Sequence, residues 1–172
     1  MMSKICLIIA IIFCLLGNIY PAGAAGLTVE QIKNSPFYIR GWEDEIQGEW
    51  VQLQDGKYSR TNPDDQLFLE LHQIILGHLS TNRTKDAAVI YGVNYGGTGN
   101  FYTLSVLSDD QGRPKNIAQA ELGDRVKINS LAIQSGEIII DMITHGPHDP
   151  ACCPSVKKIA VYTLSGNKLV EK

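Results

Sequence analysis

The run Trp50-Val51-Gln52-Leu53-Gln54-Asp55-Gly56-Lys57-Tyr58-Ser59 carries the plainest structural signal in the chain. Apolar and polar residues alternate on both sides of Asp55-Gly56, as in strands with one buried face. The central pair suits a type I′ turn, which needs positive φ at both central residues and so favours Asp or Asn followed by Gly. A hairpin is expected here, and with it a fold built from short antiparallel strands.

Working outward, the same period continues to the C-terminus. Further strands are expected over Leu67 to Leu76, Ala87 to Val93, Phe101 to Leu107, Ile117 to Leu122, Val126 to Ile133, Ile138 to Ile143 and Val156 to Leu164. Gly, Asp and Asn collect between them, at Gly96-Gly97-Thr98-Gly99-Asn100, Asp109-Asp110-Gln111-Gly112, Ser135-Gly136 and Ser165-Gly166-Asn167. These connections are too short for crossover helices, so the strands should run antiparallel. The expected fold is mainly β, α+β at the margin. It is an antiparallel meander of about eight to ten strands, closed as a sandwich or a curled sheet. Ile138-Ile139-Ile140 breaks the alternation and reads as a strand buried on both faces.

One short helix is expected before the strands. Thr28 can cap it, Gln31 can complete a capping box, and Leu27 and Ile32 fall at the hydrophobic-staple positions. Pro36 disfavours helical geometry in the residue before it, which should end the helix near Asn34-Ser35.

At the N-terminus, Lys4 precedes the uncharged apolar block Ile5 to Leu16, and Ala22-Gly23-Ala24 follows. These are the three parts of a secretory signal peptide, expected to span residues 1–24 and to leave one β-rich domain over 25–172. The apolar block is shorter than the roughly 20 residues of a membrane span. Cys14 follows Phe13 rather than a small residue, which speaks against a lipid anchor. Periplasmic or secreted localisation follows, with no transmembrane segment after cleavage. Losing Lys4 takes the 15 basic groups to 14 against 18 acidic ones, a net charge of −4. That balance, without a Lys or Arg run, gives nucleic-acid binding no electrostatic support. Cleavage also reduces the four cysteines to the adjacent pair Cys152-Cys153, in a compartment where disulfides persist.

Several segments together resemble one family. They are Leu27 to Asn34, Asp86-Ala87-Ala88-Val89, Gly96 to Tyr102, Leu122-Gly123-Asp124-Arg125-Val126, and His145-Gly146-Pro147 with Asp149-Pro150 and Cys152-Cys153-Pro154. The resemblance is to exported bacterial proteins, sometimes lipoproteins or fused to other extracytoplasmic modules, that share an LGDRV segment and a C-terminal HGPxDPxCCP motif. It implies export and the domain limits, and it brings no mechanism with it.

That family often carries a calcium-like GDLNGDGxxDAAV loop, of which this chain has a degenerate version. His78, Ser80 and Asn82 stand where acidic or amide ligands would be, Arg83 takes the glycine position, and only Asp86 keeps a carboxylate. One carboxylate beside Arg83 and Lys85 is a poor site for a hard cation, so calcium is not expected and a connecting loop is.

Gly96 to Asn100 lacks the Lys-Ser or Lys-Thr of a phosphate loop and reads as a hairpin turn. Glu43-Asp44-Glu45, Asp64-Asp65 and Asp109-Asp110 fall in turns or loops, where solvated carboxylates are ordinary, and no Gly-x-Ser-x-Gly elbow is present. Enzymatic activity is therefore not the first expectation, and no catalytic residue is assigned.

The remaining chemistry lies in His145-Gly146-Pro147-His148-Asp149-Pro150-Ala151-Cys152-Cys153-Pro154. Neighbouring Cα atoms are about 3.8 Å apart, below the usual disulfide span of roughly 4.4 to 6.8 Å, so a Cys152-Cys153 bond would close a small strained ring. Such a ring is either a rigid turn or a labile redox element, and Pro150 and Pro154 would hold it. The alternative is a metal site, with His145, His148, Asp149, Cys152 and Cys153 as donors suited to zinc or copper. The functional expectation is an exported, non-enzymatic envelope domain that binds an unknown protein or ligand and needs no cofactor. The second is a metal-binding or thiol/disulfide redox protein working through this loop.

Overall fold

The computed structural model describes residues 26–41, 47–80 and 84–172. The expected signal peptide over 1–24 and Asn82 of the degenerate loop lie outside the described residues. None of the described helices is long and apolar enough to cross a membrane.

The chain starts with the expected helix, α1 (Val29–Lys33). The Thr28 hydroxyl accepts from the Gln31 amide at 3.2 Å, and the Gln31 side chain accepts from the Thr28 amide at 2.9 Å. Leu27 and Ile32 are both buried in one apolar cluster, as a hydrophobic staple requires. Removing the cap with Thr28→Ala should lower stability by about 1 kcal/mol, read as a reduced urea midpoint at unchanged slope.

Asp55-Gly56 forms the expected turn. Both residues have positive φ, 48° and 79°, and Gln54 and Lys57 exchange backbone hydrogen bonds of 2.9 and 3.0 Å. The ladder stops at that one bridge. β2 (Glu49–Gln52) pairs antiparallel with β1 (Pro36–Ile39), while β3 (Lys57–Asn62) pairs with β4 (Asp65–Gly77). The reason lies in what the turn touches: the Gly56 amide donates to the Lys33 carbonyl at 2.8 Å, and its carbonyl accepts from Leu71 at 2.8 Å. The turn therefore joins the helix to β4, and its two arms enter different sheets.

After β4 the chain is a meander. β5 (Asp86–Asn94), β6 (Phe101–Asp110) and β7 (Arg113–Asp124) complete a five-stranded antiparallel sheet in the order β3-β4-β5-β6-β7. β8 (Lys127–Gln134), β9 (Glu137–Thr144), β10 (Val156–Ser165) and β11 (Lys168–Glu171) form a four-stranded antiparallel sheet in sequence order. The turns are those that strand twist favours. Gln111-Gly112 and Ser135-Gly136 both have positive φ, and Gly166 takes the first position of its turn at φ 61°.

β5 separates two apolar clusters. Ala87, Val89, Tyr91 and Val93 pack with α1, β1 and β2 on one side. Ala88 and Ile90 pack on the other with Leu104, Val106, Ile138, Ile140, Met142, Ala160 and Tyr162, so this cluster spans the five- and four-stranded sheets. Eight successive residues of β5 are buried as a result, which is the strand with two covered faces.

Two expectations need correction. The described residues hold eleven strands, against about eight to ten expected, and they form three sheets. The additions, β1 and β11, have four residues each, too few for a period to show. Ile138-Ile139-Ile140 does not mark a doubly buried strand: Ile138 and Ile140 face the core while Ile139 is only half-buried. Ile139 lies across from Val161 and Ala132, and these cross-strand neighbours shield part of it.

Candidate functional site

The connection from β9 to β10 holds the histidine and cysteine cluster, and it is an ordered turn. The Asp149 carboxylate organises it. One oxygen accepts from the Gly146 amide at 2.8 Å and the Ser155 amide at 2.7 Å, and the other accepts from the Ser155 hydroxyl at 2.7 Å. The Asp149 amide donates to the Gly146 carbonyl at 3.1 Å, and the Cys153 amide to the Pro150 carbonyl at 2.9 Å. Gly146 is required by proximity, because a Cβ there would stand 2.8 Å from a Val156 methyl. Pro154 is buried and fastens the end of the loop, whereas Cys152 and Cys153 are exposed.

Cys152 and Cys153 are bonded to each other, with Cα atoms 3.8 Å apart. The vicinal disulfide expected from their adjacency is thus present. A sulfur in a disulfide is not a thiolate, and thiolates are the soft metal ligands. Asp149, a further member of the expected metal set, has its oxygens engaged by loop donors. The half-buried His145 and the exposed His148 sit on the same loop. Among the described residues, no three His, Cys, Asp or Glu side chains are grouped so as to hold a metal ion.

The hydrogen bonds from Gly146 first, and from Ser155, hold the Asp149 carboxyl below its ordinary value of 3.8, with a smaller contribution from His145. A depressed folded-state value means that the loop contacts favour folding above the ordinary carboxylate range and lose that contribution as pH falls through the folded value. The loop should therefore stay closed at pH 5 and open only below about 3.8, seen as new proteolytic cuts within 145–155 while the sheets remain protected.

A second element completes the site. Arg125 lies between β7 and β8 with φ 50°, an uncommon conformation for a residue with a Cβ. Four contacts hold it there. Its amide donates to the Asn100 carbonyl at 2.7 Å, its Nε donates to the Thr98 carbonyl at 3.0 Å, and its Nη2 pairs with Asp124 at 3.1 Å. Its Nη1 donates to the carbonyl of Ala151, the residue before Cys152. Asp124 in turn accepts from the Asn100 amide at 2.8 Å. The Gly96 to Asn100 turn, the LGDRV corner and the cysteine loop thus meet around one guanidinium. Sequence reasoning marked all three stretches but gave Arg125 no role, since nothing local signals a left-handed arginine. Of the glycines in the 96–100 turn, only Gly96 needs positive φ, at 83°.

The degenerate loop between β4 and β5 has its own logic. Asp86 is fully buried, and its Oδ2 accepts from the Leu79 amide, the Ser80 amide and the Ser80 hydroxyl at 3.1, 2.8 and 2.7 Å. Ser80, expected at a ligand position, spends its hydroxyl on Asp86, and His78 is exposed. Asp86 acts as a clamp on the incoming backbone. Among the described residues its Oδ1 has no hydrogen-bond partner.

No family model, no curated protein and no solved structure matches the chain, so the reading of the site rests on the arrangement of its own residues.

Proposed function

We propose that the chain is an exported, mainly β domain whose Cys152-Cys153 loop is a thiol/disulfide redox element. The observation that carries this is the exposed bond between neighbouring cysteines, on a loop fastened by the Asp149 carboxylate and by the Arg125 guanidinium. Ring closure between sequence neighbours is strained, and strained exposed disulfides are the labile ones. The clamps matter because they let the ring open without melting the domain. Periplasmic or secreted localisation, from the signal-peptide reading of residues 1–24, supplies the compartment in which such a bond forms. The role is electron exchange with a dithiol protein of the envelope, and no turnover of another substrate is assigned. The five- and four-stranded sheets, which share one apolar cluster, are read as the two layers of a supporting sandwich.

Equilibration in dithiothreitol redox buffers, with alkylated thiols counted by mass, tests this. The expected result is a reversible two-thiol transition in a chain whose circular dichroism does not change. A ring that opens only when the fold melts contradicts it.

A second reading, a binding domain for an envelope protein or ligand, is favoured by one feature. A cleft of about 590 Å³ lies beside Trp50, lined also by Pro36, Arg113 and Pro114. Trp50 is 62% exposed there, and exposed tryptophan with arginine is the composition of interface anchors. Titrating wild type and Trp50→Ala with fractionated envelope components, followed by tryptophan fluorescence, decides it. Identical responses would remove the cleft from consideration.

A further inference from the structure

The chain on the two sides of the ring is held by different groups. On the Cys152 side, the Arg125 guanidinium holds the Ala151 carbonyl, one peptide unit from Cys152. On the Cys153 side, the Asp149 carboxylate is bound by Ser155, two residues beyond Cys153. The peptide just before Cys152 is therefore held by a fixed cation, while the Asp149 anion ties the chain after Cys153, at Ser155, to the chain before the ring, at Gly146. Asp124 shares the Arg125 charge at 3.1 Å, and His145 and His148 are the other titratable groups on the loop.

Resting on the thiol/disulfide reading above, we infer that Arg125 is the positioning residue that makes Cys152 the leaving thiolate and Cys153 the sulfur attacked by a partner dithiol. A thiolate of the partner adds to Cys153 Sγ, and the bond between the two sulfurs breaks with its electron pair going to Cys152 Sγ. That charge develops on the residue next to the carbonyl that the guanidinium holds, and a cation nearby stabilises a thiolate. A mixed disulfide between Cys153 and the partner remains. The partner's second thiol gives up its proton and attacks its own first sulfur, releasing Cys153 Sγ as a thiolate. The partner leaves as a disulfide, and this chain has gained two electrons and two protons as two thiols. In the reverse direction Cys153 attacks the partner's disulfide, and Cys152 as thiolate then attacks Cys153 Sγ in the mixed disulfide, closing the ring and releasing the partner's thiolate, so the charge beside Cys152 governs both.

The left-handed φ of Arg125 belongs to this account. A residue in that region persists when its surroundings over-determine it, and here the contacts to Thr98, Asn100 and Asp124 aim the side chain at Ala151. The Gly96 to Asn100 turn is thereby part of the redox site, as the support that holds the cation in place.

The test uses the two single-cysteine chains, Cys153→Ser and Cys152→Ser, and follows the rate of iodoacetamide alkylation from pH 5 to 10. With Arg125 intact, the Cys152 profile should lie about one pH unit below the Cys153 profile, about tenfold more thiolate at neutral pH. Arg125→Gln should abolish the gap and Arg125→Lys should keep its sign, a pattern that mere loosening of the loop would not produce. Coincident profiles with Arg125 intact overturn the inference without requiring any arginine variant to fold, and so does a gap that survives in a folded Arg125→Gln chain. A wild-type ring that dithiothreitol cannot open in the folded state overturns the thiol/disulfide reading itself. Coincident profiles in a chain whose ring does open remove only the role of Arg125.

Discussion

Ile140→Ala should destabilise the domain by about 2–5 kcal/mol, the range for removing a large aliphatic side chain from a packed core. Ile140 is fully buried on β9. It sits in the cluster that also contains Ala88, Ile90, Leu104 and Val106 of the five-stranded sheet. The cost therefore combines lost transfer free energy with a cavity between two sheets, whose ladders limit how far either can collapse into it. Urea unfolding followed by far-UV circular dichroism should show a lower midpoint with the slope unchanged. Ile139→Ala is the internal control, because Ile139 is half-buried on the opposite face of β9 and should cost much less. Equal effects at the two positions would mean that β9 does not present its even-numbered residues to the core.

Asp86→Ala should cost about 2–4 kcal/mol, because one buried carboxylate oxygen accepts three hydrogen bonds from Leu79 and Ser80 in the β4 to β5 connection. Removing it leaves the Leu79 and Ser80 amides without their acceptor. Asp86→Asn should recover part of the loss at most, since one end of the amide is a donor and would face donors. Hydrogen exchange of these two amides separates the local effect from a general loss of stability: both should lose protection before the strands do. Undiminished protection in Asp86→Ala would show that the clamp is not what orders this connection.

How far these features could be read in advance depended on the range of the interactions behind them. The Thr28-Gln31 cap and the Asp55-Gly56 turn are local, and both formed where residue type alone placed them. The partner of β2 was not local. A turn residue bonded to Lys33 and Leu71 sends the two arms of the hairpin into separate sheets, and no pattern within residues 50–59 encodes that. The triple isoleucine misled for a related reason. An apolar residue on an open face looks, in sequence, like one on a covered face, and only the cross-strand neighbours Ala132 and Val161 explain Ile139.

The candidate site divides in the same way. Adjacency made the Cys152-Cys153 bond legible, and the prolines beside it made a constrained turn legible. Asp149 was assigned to a metal set on residue type. Its actual partners, Gly146 and Ser155, lie three and six residues away, within reach only once the loop has turned back on itself. Arg125 was further out of reach. Its contacts run to residues 98, 100 and 151, and its own conformation is one that arginine seldom adopts.

The central claim is that Cys152 and Cys153 form a ring that opens within an intact fold. Intact mass of the native chain after alkylation, first without and then with dithiothreitol, tests it most directly. The account predicts a mass lower by two hydrogens and no adduct before reduction, then two adducts afterwards with the circular dichroism of the folded state unchanged. Two adducts before any reductant, or adducts that appear only as the sheets unfold, would contradict it.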